Sequence, residues 1–251
     1  MSALASSGSD WLLVSDIDDT LTGDDQALRF FAEVIARHRR RLCFAVNSSR
    51  PSASVVRTLK DVFPPGLVPD ALITALGTEI SLAGHPLEDW SARFRGWPSG
   101  RVFELLKALG FRPHDAEFQT SRKVSFAVPA GQAQLSAREA LATAGIPCRT
   151  IASGADDFDV IPDGAGKDAA TLYLAKALGF DLGNVIVAGD SGNDAAMFLA
   201  ARNRIAVANA RKELIGALEG FPYYLATRPH ASGVLEGLVH FGALPVNTAQ
   251  V

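Results

Sequence analysis

The chain has little of what marks several functional classes. Only two of its 251 residues are cysteines. Two lone thiols, Cys43 and Cys148, make neither a disulfide framework nor a zinc site, which predicts a reducing compartment. Cys43 lies inside the apolar run Leu42-Cys43-Phe44-Ala45-Val46, where a buried, inert thiol is expected. No apolar run approaches the length needed to span a bilayer. Residues 1–10 lack the charged and apolar regions of a signal peptide, so a cytoplasmic setting away from membranes is expected. Charge of one sign is missing too: 24 basic residues stand against 27 acidic, a formal net charge of −3. That excludes the basic footprint of a nucleic-acid binder. The one dense basic run, Arg37-His38-Arg39-Arg40-Arg41, is expected to close a helix, where cations complement the helix dipole. Internal repeats and low-complexity segments are absent.

What remains is ordinary globular composition, 48% hydrophobic and 20% charged. The length suits an enlarged α/β domain or a core carrying a smaller domain. Short apolar runs of the kind buried in parallel sheets alternate with helix-spaced segments. Trp11–Ser15 reads as a strand running into Asp16. Residues 25–40 carry Leu28, Phe31, Ala32 and Ile35 at helical spacing. Leu42–Val46 is a second strand, followed by Asn47-Ser48-Ser49-Arg50 and Pro51 at a helix start. Ala71–Ala75 is a third strand. Beyond residue 164 the theme returns: a helix over 168–178, a strand over Asn184–Ala188 ending at Gly189-Asp190, then a helix from 193, a strand Arg204–Asn209, and helices near 212–219 and 231–240. Strand, helix, strand in this order predicts a doubly wound parallel sheet.

The middle has a different texture. Trp90, Phe94 and Trp97 are expected to be apolar core of this segment, ahead of a helix near 99–109. Lys123–Val128 alternates as a strand with one wet face. A helix near 131–144 precedes two strands, Cys148–Ser153 and Asp157–Ile161, joined by a turn at Gly154-Ala155-Asp156. This predicts a small α+β unit over 84–163, inserted between the two halves of one core, 1–83 and 164–251. The tail from about Leu244 is expected to fray.

In parallel α/β sheets, ligands bind outside the carboxyl ends of the strands. Four polar clusters fall after predicted strands or at helix starts: Asp16-Ile17-Asp18-Asp19-Thr20, Ser48-Ser49-Arg50, Gly166-Lys167-Asp168, and Gly189-Asp190-Ser191-Gly192-Asn193-Asp194. Taken singly, each has a plain structural meaning. An Asp after a strand is commonly a cap or turn residue, and a lysine is commonly solvated. Together, and in this placement, they read as a site. Asp16 and Asp190 are the carboxylates that a magnesium ion would take together with substrate phosphate oxygens. Asp16 can attack phosphorus. Asp18 can protonate a leaving oxygen and then deprotonate water. Ser48 and Lys167 can hold phosphate oxygens.

At these residues the chain resembles the haloacid dehalogenase superfamily of phosphohydrolases, through Asp16-x-Asp18-x-Thr20, Ser48, Lys167 and Gly189-Asp190-x-x-Asn193-Asp194. The resemblance implies a Rossmann-like core with a mobile cap, Asp16 as nucleophile and Asp18 as acid and base. It implies Ser48 and Lys167 as phosphate binders, and Mg2+ held by Asp16, Asp190 and the Asp18 carbonyl. Asp194 would orient the lysine and the waters of the metal site. Ser49 and Asn193, within the same motifs, fall to the substrate side.

The stretch between Asp16 and Ser48 is short, whereas that between the third strand and Lys167 is long. The cap therefore resembles the C2 type, inserted at the second position. Along nearly its whole length the chain is similar to sucrose-phosphate phosphatases, through Gly77-Thr78-Glu79-Ile80, Lys123-Val124-Ser125-Phe126, Ser153-Gly154 and Asp159-Val160-Ile161-Pro162. Mannosylfructose-phosphate phosphatases are a close second. Two departures stand out: Ser48-Ser49-Arg50 replaces Thr-Gly-Arg, and Asp168 replaces the glycine after the motif lysine.

For the sugar, the resemblance points to Glu79, Lys123 and Asp159 facing the cleft. They also read, respectively, as a turn carboxylate, the wet face of an edge strand and a strand-end cap. Arg50 reads as a helix-start contact. The implied substrate is a small sugar phosphate, the expected state a monomer, and association with a sugar-phosphate synthase is left open. Phosphohexomutase and non-catalytic sugar-phosphate sensor are the competing classes. The first would need a more basic cap, and the second has no use for Asp18, since acid–base work adds nothing to ground-state affinity.

Overall fold

The computed structural model describes residues 9–248; most of the segment read for a signal peptide lies outside them. The first half of the chain builds β1 (Trp11–Ser15), α1 (Asp25–His38), β2 (Leu42–Asn47), α2 (Ser52–Asp61), β3 (Ala71–Thr74), β4 (Glu79–Leu82), β5 (His85–Pro86) and α3 (Glu88–Ser91). Then come α4 (Ser99–Ala108), β6 (Arg112–Pro113), β7 (Val124–Ala127), α5 (Gln132–Thr143), β8 (Cys148–Ser153) and β9 (Asp157–Pro162). The last part supplies α6 (Lys167–Leu178), β10 (Val185–Gly189), α7 (Ala195–Ala200), β11 (Asn203–Ala206), α8 (Lys212–Ala217), β12 (Tyr224–Leu225) and α9 (His230–His240).

Eight strands form one sheet in the order β12-β11-β10-β1-β2-β3-β4-β5. It is parallel from β12 to β3, with β4 and β5 added antiparallel at one edge. Central β1, flanked by β2 and β10, is where the strand order turns back, the usual place for a ligand crevice. The fold is thus the expected Rossmann-like α/β sheet, with the antiparallel hairpin as an extension that the apolar pattern did not reveal.

Side chains alternate across β1 and β2. Leu13 and Phe44 face α1 and α9 with Phe31 and Leu235, while Val14 and Ala45 face α6 and α7 with Leu174 and Met197. Phe31 meets Phe44 edge to face at 5.5 Å. Truncating either ring to alanine is expected to cost about 3–5 kcal/mol. Helix α1 begins where Asp24 accepts hydrogen bonds from the Gln26 and Ala27 amides at 2.9 and 3.0 Å. It ends with Arg37 and His38 in the last turn, as the basic run predicted.

Four antiparallel strands form a second sheet, β6-β7-β9-β8. Its own core joins Val124, Phe126, Phe158 and Val160 to Val102 and Leu106 of α4 and Ala137 and Leu141 of α5. The two-residue period of a strand sends Ser125 and Asp159 to the opposite face.

Three expectations change. Trp90 and Phe94 pack into the core of the large sheet, where the Trp90 Nε1 donates to the Gly77 carbonyl at 3.0 Å; only Trp97 packs on the small-sheet core. The hairpin strand β5 and helix α3 therefore go with the large sheet. The face of β7 expected to be wet is covered, with Lys123 and Ser125 at 3% and 5% exposure, because the small sheet lies over the strand ends of the large one. Leu244, expected to fray, is buried against the core layer of α1 and α9. No helix among the described residues is long and apolar enough to cross a membrane.

Candidate active site

The carboxyl ends of β1, β2 and β10 and the start of α6 bring the four clusters together. Asp16 follows β1 and is fixed by its amide, which donates to the Ala188 carbonyl at 2.9 Å. Lys167, the first residue of α6, is buried and donates to Asp16 Oδ1 and to Asp194 Oδ1, both at 2.6 Å. The second oxygen of Asp194 accepts the amides of Asp190 and Ser191, each at 3.1 Å. Thr20 donates to Asp190 Oδ1 at 2.9 Å.

The backbone around Lys167 is held from two sides. The Asn47 amide group donates to the Lys167 carbonyl at 3.0 Å and to the Thr171 hydroxyl at 3.1 Å. On the other side, Gly77 has φ +80°, and a Cβ there would lie 2.2 Å from the Gly166 carbonyl oxygen. Glycine is needed here both for the left-handed backbone and for the close approach to the start of α6.

One of the residues that sequence reasoning passed over is Asp19, which takes the left-handed conformation, φ 58°, between Asp18 and Thr20. Its carbonyl accepts the Asn209 amide at 2.7 Å and the His230 Nδ1–H at 2.9 Å. Asparagine and histidine next to ordinary turns carry no pattern that would have singled these two out. Thr20 was quoted within its motif without a role.

Burial raises the carboxyl of Asp16 well above the ordinary range, against the pull of Lys167. Asp190 is pushed up to about 6, chiefly by burial and then by the charge of Asp194. For Lys167, burial works toward deprotonation, but Asp16 and Asp194 outweigh it and hold the ammonium charged.

Ligand oxygens of Asp16, Asp190 and Asp194 lie within 4.8 Å of one another. Three carboxylates against one ammonium leave excess negative charge and hard oxygen donors, which fits magnesium. Both oxygens of Asp194 are already taken by this chain's own donors, so Asp16 and Asp190 fit the direct ligand role better.

Beside this cluster lies a cavity of about 190 Å³. The loops after β2 and β10 give it Ser49, Arg50 and Asn193, and the small sheet gives it His114, Lys123, Ser125 and Asp159, among others. Asp18, at the rim, is exposed and pairs with the Arg50 Nε at 2.9 Å. Ser48 is buried, and its Oγ accepts the Arg50 amide at 3.1 Å. Lys123 pairs with Asp159 at 3.1 Å and His114 with Asp157 at 3.2 Å.

Six buried side-chain atoms among the described residues lack a hydrogen bond, and five of them belong to this lining: Arg50 Nε and Nη2, His114 Nε2, Asp159 Oδ1 and Asn193 Oδ1. Three of the five, on Arg50, His114 and Asp159, lie close to Asp18, Asp157 and Lys123 respectively, but without hydrogen-bond geometry. For the other two, Arg50 Nη2 and Asn193 Oδ1, going without a partner costs about 1–3 kcal/mol each. Glu79 is not part of the lining; its Oε2 accepts the Thr74 hydroxyl at 3.1 Å across the β3–β4 pair. His114 and Asp157 escaped sequence reasoning because neither belongs to a motif.

The sheet order is the fold of solved haloacid dehalogenase-like hydrolases. Within that class, the chain belongs to the sucrose-6F-phosphate phosphohydrolase family, whose model matches residues 9–242. It is 32% identical over 257 residues to sucrose-phosphatase 1 of Nicotiana tabacum, covering 93% of this chain and 60% of that protein. The chain thus spans only about three fifths of that relative's length. It is 31% identical to the mannosylfructose-phosphate phosphatase of Agrobacterium fabrum, over 93% of this chain and 98% of that one. The solved sucrose-phosphatase of Synechocystis, in complex with sucrose and phosphate, superposes with a TM-score of 0.82 at 29% identity, over 93% and 98% of the two chains.

Proposed function

We propose that the chain is a magnesium-dependent phosphatase that hydrolyses a sugar phosphate monoester, sucrose 6-phosphate first among them, through a phosphoryl group carried on Asp16. The observation that carries this reading is the pairing of a buried Asp16–Lys167–Asp194 cluster with an adjacent cavity whose polar atoms lack hydrogen bonds. A polyhydroxylated ligand can satisfy donors and acceptors of both kinds, which an apolar one cannot.

Lys167 holds Asp16 through Oδ1, and the other oxygen, Oδ2, is assigned the attack on phosphorus. As that O–P bond forms, the bond from phosphorus to the sugar oxygen breaks, and the sugar oxygen takes a proton from Asp18. In the second half, Asp18 takes a proton from water, the water oxygen bonds to phosphorus, and Asp16 is released with inorganic phosphate. Ser48 and Lys167 hold phosphate oxygens as charge develops on them. A bound Mg2+, held by Asp16, Asp190 and the Asp18 carbonyl, supplies neutralisation between anionic nucleophile and phosphate. Asp194 positions Lys167 and the loop that carries Asp190.

The small sheet is read as a C2-type cap for substrate recognition, nominally 84–163, with Lys123, Asp159, Ser49, Asn193, His114 and Arg50 around the sugar. Glu79 is assigned to the sugar as well, through the oxygen that Thr74 leaves free. Free thiols at Cys43 and Cys148 support a cytoplasmic setting. A monomer able to associate with a sugar-phosphate synthase completes the reading.

A second substrate, mannosylfructose phosphate, is favoured by the Agrobacterium relative, which this chain matches over 98% of its length. Inorganic phosphate release from a panel of phosphate esters tests both. The expected result is the highest kcat/KM for sucrose 6-phosphate. A higher value for mannosylfructose phosphate would transfer the assignment, and no release from any sugar phosphate would end it.

A further inference from the structure

Two glycines from distant motifs meet at one carboxylate oxygen. Gly192 opens the turn between Asp190 and Asp194, and Gly154 sits in the turn between β8 and β9 of the small sheet. The amides of both donate to Glu213 Oε1 on α8, Gly192 at 3.0 Å and Gly154 at 3.3 Å. A Cβ at position 192 would lie 3.1–3.3 Å from Oε1, Cδ and Cγ of Glu213, closer than side chains ordinarily pack. Glycine at 192 thus makes room for this carboxylate.

The residues around Glu213 tie it further to the carboxylate cluster. The Arg211 amide donates to the Asp190 carbonyl at 2.7 Å, and its guanidinium pairs with Asp19 at 3.2 Å. The start of α8 therefore touches both carboxylate loops of the large sheet and the β8–β9 turn of the small one. On the other side of the cleft the contact is of another kind, an exposed ion pair between Arg57 of α2 and Glu117 before β7.

We infer that Glu213 is a positioning residue that latches the small sheet over the site and sets the preference for large substrates. Gly192 fixes the carboxylate in place, and Gly154 docks on the oxygen so held. An acceptor already ordered by one donor loses less entropy on meeting the second. When the β8–β9 turn docks, Ser153, Asp157 and Asp159 come to line the cavity beside Asn193. A substrate that reaches these residues has binding energy to spend on closure, and a small ester has none. The inference rests on the phosphatase reading for its kinetic arm only; its structural arm is independent of any substrate.

The test compares Glu213→Ala, which removes the acceptor, with Glu213→Gln, which keeps an oxygen at that position. Hydrogen exchange of the segment around Gly154 is expected to be faster in E213A and near wild type in E213Q. With magnesium present, kcat/KM for sucrose 6-phosphate should fall at least about tenfold in E213A, the size expected for one lost hydrogen bond to a charged group. Turnover of p-nitrophenyl phosphate should fall much less, and E213Q should recover most of the loss. Unchanged exchange around Gly154 in E213A would overturn the latch, whatever the substrate. Equal losses for both esters would overturn its role in specificity. If no sugar phosphate is hydrolysed but the exchange result holds, the substrate reading fails and the latch stands.

Discussion

The Asp16–Lys167–Asp194 cluster and the cavity next to it are both buried and polar, yet they are built on opposite terms. In the cluster the groups meet one another: Lys167 bridges two carboxylates, and Asp194 has both oxygens occupied. In the cavity, Arg50, His114 and Asp159 meet their partners without hydrogen-bond geometry, and Arg50 Nη2 and Asn193 Oδ1 have no hydrogen-bond partner. A preassembled cluster costs no reorganisation at the moment of reaction, which suits chemistry common to every substrate. A lining short of partners suits recognition, because a ligand with matching hydroxyls gains what the free protein forgoes. On the proposed reading, the large sheet carries the reaction, and the small sheet, with the loops that bear Arg50 and Asn193, the choice of substrate.

The harshest way to break this division is to remove Asp16, the proposed nucleophile. Asp16→Asn is expected to abolish turnover of every ester, sugar phosphate or p-nitrophenyl phosphate alike, with far-UV circular dichroism unchanged. Substantial turnover in single-turnover conditions would move the nucleophile elsewhere.

The cavity should break selectively. Alanine at Lys123, Asp159 or His114 should lower kcat/KM for sucrose 6-phosphate about 10- to 100-fold, as expected for hydrogen bonds involving charged groups. p-Nitrophenyl phosphate should be affected only slightly, so the ratio of the two rates is the quantity to follow. Parallel losses on both esters would erase the distinction between the two regions.

A gentler probe is pH-dependent metal binding. Asp190, pushed up to about 6, keeps its proton in the folded chain at pH values where an ordinary carboxyl is ionised. Without a cation, this group's contribution to stability falls as pH rises from its ordinary value through about 6, because the folded state binds more protons than the unfolded. A cation must displace that proton. Magnesium should therefore raise Tm more at about pH 7.5 than at about pH 5, and an equal rise at both would separate Asp190 from the metal. The smallest expected effect is at Arg57: its pair with Glu117 is exposed on both sides, and Arg57→Ala should cost less than about 1 kcal/mol in thermal unfolding.

Much of this was legible in the sequence because parallel strands are continuous apolar runs that end in polar clusters. Trp11–Ser15 leading into Asp16, and Asn184–Ala188 into Gly189-Asp190, announce both the sheet and the edge where the candidate site forms. The supporting contacts were not legible. Thr20 meets Asp190 across 170 positions, and Asp19 meets His230 across 211. Residues of such common types give no local signal, since only the folded topology brings them together. Trp90 reads as core from its type alone, but nothing local says which of two cores it enters. Lys123 shows the alternation of a strand, and alternation is silent on what covers the second face.

The most direct test asks where the phosphoryl group goes. Asp18→Asn should slow release from Asp16 as well as transfer to it, by about a hundredfold or more. The protein variant, mixed with magnesium and sucrose 6-phosphate and quenched in acid within one turnover, can be digested and its peptides weighed. The account predicts a phosphoryl adduct on the peptide that contains Asp16, absent from Asp16→Asn treated in the same way. Phosphate released with no adduct at Asp16 at any time point, or an adduct on another residue, would contradict it.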